Sequence, residues 1–547
     1  MNQAADPLDF DYVIVGGGVA GCILANRLSA DPAVRVLLIE AGGRDSSPLI
    51  AAPGGLLPLM MSGRHAWPYV SARQEHLDGR VLYLPRGKVL GGGSSINGMA
   101  YDRGFASDYD RWAQAGNRGW SFAEVLPYFR RLESFHPARN AWHGAEGPIQ
   151  VTRAGQDHPF ARAFLQAGAQ AGYPLSDDLS GAQRDGFGAV DLTVGRGRRS
   201  SAASAYLRPV LRRRNLTVLT GALTRRVRFD GLRRATGVEF TRDGVLRTAL
   251  ARREVILSAG AINTPQLLML SGVGPGGHLA EHGIPIVADL PGVGQGLQDH
   301  LATHVKHRST KPWSMLRYLN PLRGALAMGQ YLVTRRGPLA DPGMSVACFV
   351  RSDPVLDEPD IKMLLVSALF SHNGQTLVPM HGFYAHINVA RPEARGQVTL
   401  ASPDPTVSPV IDQNYNGTER DREVMRAGIR IARHIFAQPA FDEVRGEELA
   451  PGPDIRSDAE LDAHIRAAAE ADYHSTSTAR MGADRLAVVD AELRVHGLAG
   501  LRVVDASVMP HLPGGNTAIP VAMIAEKAAD LILGRPAPAP EDPRSRS

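Results

Sequence analysis

The stretch from Asp11 to Glu40 constrains this chain more than any other. Asp11 to Val15 (DYVIV) is a short apolar run suited to a buried parallel strand. Gly16, Gly18 and Gly21 then form GxGxxG, Val19 to Ala30 predicts a helix ended by Asp31-Pro32, and Val34 to Ile39 predicts a second buried strand ending in Glu40. A strand, glycine turn, helix, strand and acid in that order is the opening of a doubly wound sheet that binds a dinucleotide. Gly16 allows the tight turn, Gly18 lets backbone approach a pyrophosphate, and Gly21 lets helix and strand pack closely. Glu40 would accept bonds from ribose hydroxyls, and its charge argues against a 2′-phosphate. The fingerprint alone does not separate NAD from FAD.

A second glycine-rich stretch, Gly87 to Asp110 (GKVLGGGSSINGMAYDRGFASDYD), is neither a packed helix nor a regular strand. Its backbone can come close to a ligand, and successive N–H groups in such a loop make a concavity for anionic oxygens. It predicts a loop wrapped around a phosphate-bearing cofactor.

Beyond it, Trp112 to Glu133 has the spacing of one amphipathic helix, and Arg199 to Leu211 looks helical. Short strands are expected at Leu216 to Leu219, Thr224 to Phe229, Ala235 to Phe240 and Glu254 to Leu257, returning to the first sheet. From about 300 to 480 the texture changes. Period-two runs such as Phe383 to Val389 and Gln397 to Leu400 predict an antiparallel sheet, followed by helices near Asp421 to Phe436 and Asp458 to Ala471. After Gly500 a buried strand and a terminal helix, Ala518 to Leu533, complete the first domain. The tail after Gly534, rich in Pro, Ala and charge, is expected to be disordered.

The composition excludes several classes. With 547 residues and 44% hydrophobic content, the chain can bury a large core. A net charge of +5 without a long basic block gives no nucleic-acid arm. The first residues carry three aspartates and no apolar signal region, and no apolar run is long enough to span a bilayer. Two cysteines, Cys22 and Cys348, favour a reducing compartment, hence the cytoplasm. The stretch 313–340, with Trp313, Met315, Tyr318, Leu319, Met328 and Tyr331, is expected to pack into the core. An apolar lid or a peripheral membrane contact is the alternative.

These residues together resemble the glucose–methanol–choline (GMC) family of FAD-dependent oxidoreductases. Gly87 to Asp110 is similar to its first signature and Gly260 to Gly274 (GAINTPQLLMLSGVG) to its second. Gly292 to His300, Tyr473-His474 with Thr478 to Gly482, and Leu501 to Ile532 follow in family order. Bacterial choline-dehydrogenase-like and alcohol-dehydrogenase-like members are the most similar in look. The resemblance implies an α/β fold: a Rossmann-like FAD-binding domain with an inserted α+β substrate domain on an antiparallel sheet. It implies FAD-binding segments at 8–155, 196–305 and 484–534, a substrate domain at 306–483 with an excursion at 156–195, and a disordered tail at 535–547. It implies that Gly16, Gly18, Gly21 and Glu40 hold the ADP half. Val89, Gly91, Gly92, Gly93, Ser94, Ser95, Asn97 and Gly98 would hold the pyrophosphate and the isoalloxazine edge. Val227 would meet adenine, Asp505 and Ala506 the ribityl chain, and Asn516 and Thr517 the ring.

The implied chemistry is oxidation of an alcohol, with a histidine base taking the hydroxyl proton and flavin N5 the hydride, and with a quinone, dye-like carrier or oxygen as final acceptor. Histidine suits that base because its pKa lies near neutrality. His474 matches the position. The family's second polar residue falls on Ala518 when Pro520 is held in register, leaving Asn516 and His511 as the nearest polar candidates. Ala518 raises a second reading, a GMC-fold enzyme that does not oxidise alcohols, akin to fatty-acid photodecarboxylases or hydroxynitrile lyases. Asp299, His300 and His304 have spacing open to a metal reading, but structural packing is expected of them, and no metal.

Overall fold

The computed structural model describes residues 8–137, 140–370 and 376–546. Two seven-stranded sheets organise it. In the first, the strands run in the order Leu216–Leu219, Val36–Ile39, Leu8–Val15, Val245–Leu257, Ala235–Arg242 and Ala222–Phe229. The first four are parallel, with Val36 opposite both Tyr12 and Leu216, and Val13 opposite Val255. Val36–Ile39 is buried at every position, as a central parallel strand flanked on both faces must be. The 13-residue strand Val245–Leu257 is long because two partners share the edge opposite Leu8–Val15. Its first half pairs antiparallel with Ala235–Arg242, and its end pairs in parallel with Leu501–Val503. Three distant parts of the chain thus meet in one sheet.

Helices Val19–Leu28 and Ala518–Leu533 pack on one another beside this sheet. Arg27 binds the fully buried carboxylate of Glu526 at 2.7 Å, and Tyr206 donates to the same group at 2.6 Å. A buried charge needs such partners, since an unpaired one costs several kcal/mol.

The second sheet is antiparallel, in the order Arg445–Ala450, Leu301–Ser309, Gly382–Val389, Ile361–Val366, Val346–Val350 and Gly186–Ala189, with Glu470–Ala471 as a seventh strand paired to the start of Leu301–Ser309. Helix Glu419–Phe436 covers it, its Thr418 side chain accepting from Asp421 N–H, and buries Val424, Ile429, Ile435 and Phe436 at helical spacing.

Several expectations change. Trp112 to Glu133 is not one helix but the end of Ala106–Gln114 and all of Phe122–Leu132. Gly116 and Gly119 turn between them at positive φ, and a Ser121–Glu124 capping box starts the second. Arg199 to Leu211 is a single π turn and a 3-10 turn around Pro209. The tail is laid down rather than loose as far as Arg544: Glu541 N–H donates to Ala123 O at 2.8 Å, its carboxylate pairs with Arg130, and Arg544 reaches Asp110 at 2.8 Å. The composition of the tail hid these three anchors. In helix Pro321–Thr334 only Ala327 and Tyr331 are buried, so core packing fails along most of 313–340. The first seven residues lie outside those described.

Candidate active site

Both glycine stretches meet at the carboxyl end of the first sheet. Gly16 follows the first strand at φ 102°, and a Cβ there would lie 2.3 Å from the Ser258 carbonyl oxygen. Gly92, at φ 52°, brings the second loop against the first: its Cβ would come 2.8 Å from Gly18 Cα. Only side-chain-free backbone allows this crossing.

The second loop is tied down by its acceptors. Ser94 and Ser95 hydroxyls donate to the Gly91 and Leu90 carbonyls at 2.6 and 2.7 Å. The Arg199 guanidinium donates to the carbonyls of Ser94 and Asn97 at 3.2 and 2.6 Å. Arg199 is buried, and among the described residues no carboxylate lies within 4.0 Å of it. Burial pushes its pKa down to about 9. One of its nitrogens, Nη2, has no hydrogen-bond partner. An unneutralised buried cation behind a loop whose carbonyls are already bonded suits an anionic ligand.

Glu40 ends the second strand with both carboxylate oxygens held, by Gly17 and Gly42 N–H, each at 2.7 Å. Burial raises its pKa to about 7 against these two bonds. Asp505 closes the far side, accepting from Gly260 N–H, Thr264 Oγ1 and Ser507.

One cavity of about 670 Å³ runs through this region. Gly16, Gly18, Glu40, Gly92, Gly93, Ser94, Asn97, Gly98, Asp505, Ala506, Asn516, Thr517 and His474 all line it. Gly21, Val89, Gly91 and Ser95 do not; they pack behind the lining, Gly21 so tightly that a Cβ would meet Gly16 O at 1.9 Å. Val227 also lies away from the cavity, which corrects its expected place at adenine. It sits in the core with its N–H given to Ser271 Oγ at 2.8 Å, while Ala222, Leu223 and Thr224 of the same strand reach the lining.

The other end of the cavity is built from side chains. His474 Nε2 lies 2.9 Å from the Asn516 amide nitrogen, and Asn516 Oδ1 accepts from Lys362 Nζ at 2.5 Å. Lysine can only donate, so the amide oxygen must face it and the NH₂ must face His474. His474 Nε2 is therefore the acceptor and carries a lone pair. The opposite nitrogen, Nδ1, lies 2.9 Å from His300 Nδ1 and 3.3 Å from Asp472. His300 gives its Nε2 proton to the Ala390 carbonyl at 3.0 Å. Burial first, and then the neighbouring His474, push its pKa down to about 3. A neutral His300 protonated on Nε2 offers a lone pair at Nδ1, which accepts from His474 Nδ1–H. The network thus fixes the tautomer of His474 from both ends.

Outer contacts hold this arrangement. Burial opposes ionisation of Asp472, but His474 and His386 outweigh it and keep the carboxyl well below its usual range. His386 and Asn388 bind it at 3.0 and 2.6 Å. Asp299 accepts the His474 backbone N–H at 2.6 Å, and Tyr473 just before it sits at φ 65°. Lys362 is anchored by Asp102 at 2.8 Å, which Arg184 also binds at 2.8 Å.

Asn516, rather than Ala518, places a polar group beside His474. Ala518 is the first residue of the terminal helix, and the amide two positions earlier reaches His474. Asp299 and His300, expected only to pack, touch His474 directly, whereas His304 contacts His386 at 3.1 Å, which in turn binds Asp472. Sequence reasoning missed Lys362 and Asp472 as members of the site. Lys362 sits in an ordinary-looking strand, IKMLLV, and only its fold partners reveal it.

A dinucleotide fold with a second glycine loop and a histidine–amide pair at the cavity's end is the layout of a nucleotide-cofactor oxidoreductase. Residues 10–302 and 392–525 match the N- and C-terminal models of GMC oxidoreductase, and the chain belongs to this family. It is 45% identical over 527 residues to an oxygen-dependent choline dehydrogenase of Rhizobium etli, covering 96% of each chain. It is also 45% identical to the mitochondrial choline dehydrogenase of Homo sapiens, over 97% of this chain and 90% of the other. Formate oxidase from Aspergillus oryzae, a structure concerned with FAD modification, superposes with a TM-score of 0.91 at 30% identity, over 97% of this chain and 99% of that one. The cofactor is FAD and the enzyme acts on CH–OH donors, in the α/β fold expected. Nothing favours the non-alcohol reading.

Proposed function

We propose that this enzyme oxidises alcohols with an apolar body, with His474 as the base and Asn516 as the amide that holds the substrate oxygen. Bound FAD supplies the acceptor for the hydride that leaves the carbinol carbon. Gly16, Gly18, Glu40, the loop Gly92 to Gly98, and Asp505 to Ala506 would hold that cofactor. The alcohol hydroxyl would replace the His474–Asn516 contact, donating to His474 Nε2 and accepting from the Asn516 NH₂. His474 takes the hydroxyl proton as carbon–hydrogen cleavage proceeds. Neutral His300 and ionised Asp472 then stabilise the imidazolium at Nδ1.

The observation that carries this reading is the Lys362–Asn516–His474 chain, which leaves a lone pair on Nε2 and a donor beside it. The substrate class follows from what surrounds the same residues. Lys362 and Arg184 share the carboxylate of Asp102, and ionised Asp472 balances them on the other side of His474. Met344, Leu364, Val366 and Phe370 line the wall beyond. An alkyl or aryl group would pack against that wall, which offers a quaternary ammonium no aromatic cage or carboxylate of its own.

The test is anaerobic bleaching of the purified yellow enzyme. Alkanols and benzyl alcohol should reduce the flavin at far lower concentration than choline. Preferential reduction by choline would overturn the substrate class, and an oxidised flavin with every alcohol would overturn the His474 reading as well. Reoxidation by quinone, dye or oxygen identifies the acceptor. We place the enzyme in the cytoplasm, a reading supported by its two buried free thiols, Cys22 and Cys348.

A further inference from the structure

Helix Pro321–Thr334 is built the wrong way round for a helix facing water. Its buried residues, Ala327 and Tyr331, share one face, and Tyr331 ties that face to the Gly197 carbonyl at 2.9 Å. Leu322, Leu326 and Val333, spaced i, i+4 and i+11, lie within about 40° of one another on the opposite face. They are 70%, 66% and 85% exposed. Leu319 and Leu332 extend the patch, and Met60 and Met61 of helix Leu56–Ser62 add a second apolar edge. The two edges belong together: Gly54 approaches Leu339 so closely that a Cβ would come 2.7 Å from its Cα. Contiguous exposed apolar surface of this kind marks an interaction site.

Charge says what the patch meets. From Leu301 to Ala340 there are seven Lys or Arg and no Asp or Glu, and from Ser46 to Gln74 there is again no acid. Arg64, Arg323 and Arg336 are exposed around the leucines, with Arg335 half-buried at the helix end. Among the described residues none of these four has a carboxylate within 4.0 Å. His381 nearby is held below its usual pKa by burial and then by Arg317 and Arg323, which places it within reach of both cations.

We propose that this face docks on an anionic phospholipid bilayer, with the leucines and methionines in the headgroup–acyl boundary and the arginines on lipid phosphates. Apolar residues flanked by cations, with acids absent, are what such a surface requires. No helix of the described residues is long and apolar enough to cross a membrane, so this contact is a peripheral one. Met60, Met61 and Leu319 belong both to the patch and to the lining of the flavin cavity. Docking would therefore place the cavity's opening at the lipid surface, where apolar alcohols and lipid-soluble acceptors concentrate.

The test is co-sedimentation of the flavin-loaded enzyme with vesicles of phosphatidylcholine alone or mixed equally with phosphatidylglycerol. Wild type should pellet with the mixed vesicles, and less so as salt rises. L322E/L326E/V333E should lower the bound fraction by roughly tenfold or more. R323E/R335E/R336E should abolish the preference for acidic lipid. L232E, an 88% exposed leucine elsewhere on the surface, should bind like wild type. All variants should keep flavin and turn over a water-soluble alcohol with a dye. Wild type remaining in the supernatant would overturn the proposal, as would undiminished binding by the leucine variant. So would a wild-type dimer without vesicles that the leucine variant makes monomeric, since the face would then be covered by a second copy.

Discussion

The two ends of the cavity are made from different materials. The cofactor end is backbone: Gly16 and Gly92 bring main chain to main chain, and serine hydroxyls and Arg199 hold the loop carbonyls. The substrate end is a chain of side chains from five separate segments, Asp102, His300, Lys362, His474 and Asn516. A backbone site fails when a side chain is added. A side-chain site fails when one is removed, and it fails link by link.

The largest effect should therefore come from adding atoms at the cofactor end. Gly16→Val places a β-branched side chain at φ 102° against Ser258, so the protein should purify without flavin or not fold. Flavin absorbance per protein reads this. A yellow Gly16→Val enzyme would mean the turn is not where the cofactor binds.

Removing atoms at the other end should leave the yellow colour. Asn516→Ala takes away the donor to the substrate oxygen and should slow anaerobic flavin reduction by roughly 10²–10³. Loss of flavin instead of rate would show that the two ends are not separable.

Lys362→Met tests one link further out. Without the ammonium the amide of Asn516 is free to turn either face to His474, and reduction should fall by about tenfold, on the rate more than on KM. Lys362→Arg should recover part of it. Equal loss in both variants would make Lys362 merely a packing residue.

Glu40 gives the pH dependence. Its pKa is raised from 4.5 to about 7 by burial, so it binds a proton in the apo fold at pH values where the unfolded chain has lost it. Apo stability should therefore fall as pH rises from 4.5 through 7. FAD affinity should move the other way, because only the ionised carboxylate accepts from hydroxyls without restriction. It should weaken by up to about tenfold per unit below 7. Glu40→Gln should bind FAD more weakly and flatten both profiles.

The smallest effect is expected at Ala518. Asn516 already reaches His474, so Ala518→Asn should only crowd the cavity and lower the rate a few-fold, by roughly 1 kcal/mol. A rise in rate would show that the site lacks a partner after all.

The same contrast decides what could be read from the sequence. Backbone sites need glycines at fixed local spacing, so the turn at Gly16, Glu40 about twenty residues on, and the second loop were legible before any coordinates. Val227 does not reach the cavity while Thr224 of the same strand does, because register along a strand leaves no local mark. Side-chain links join residues hundreds of positions apart, and a lysine in IKMLLV reads as any half-buried strand residue. Holding Pro520 in register pointed to Ala518, while the geometry at the start of the terminal helix brings Asn516 to the histidine. The exposed leucines of Pro321–Thr334 misled in the opposite direction, since apolar periodicity is equally the mark of a core helix.

The most direct test of the account is the anaerobic rate of flavin reduction by a saturating alcohol in His474→Ala, measured by stopped flow on enzyme shown to retain its FAD. The account predicts a yellow protein whose reduction is slowed by roughly 10²–10⁴. A flavin reduced as fast as in wild type would contradict it.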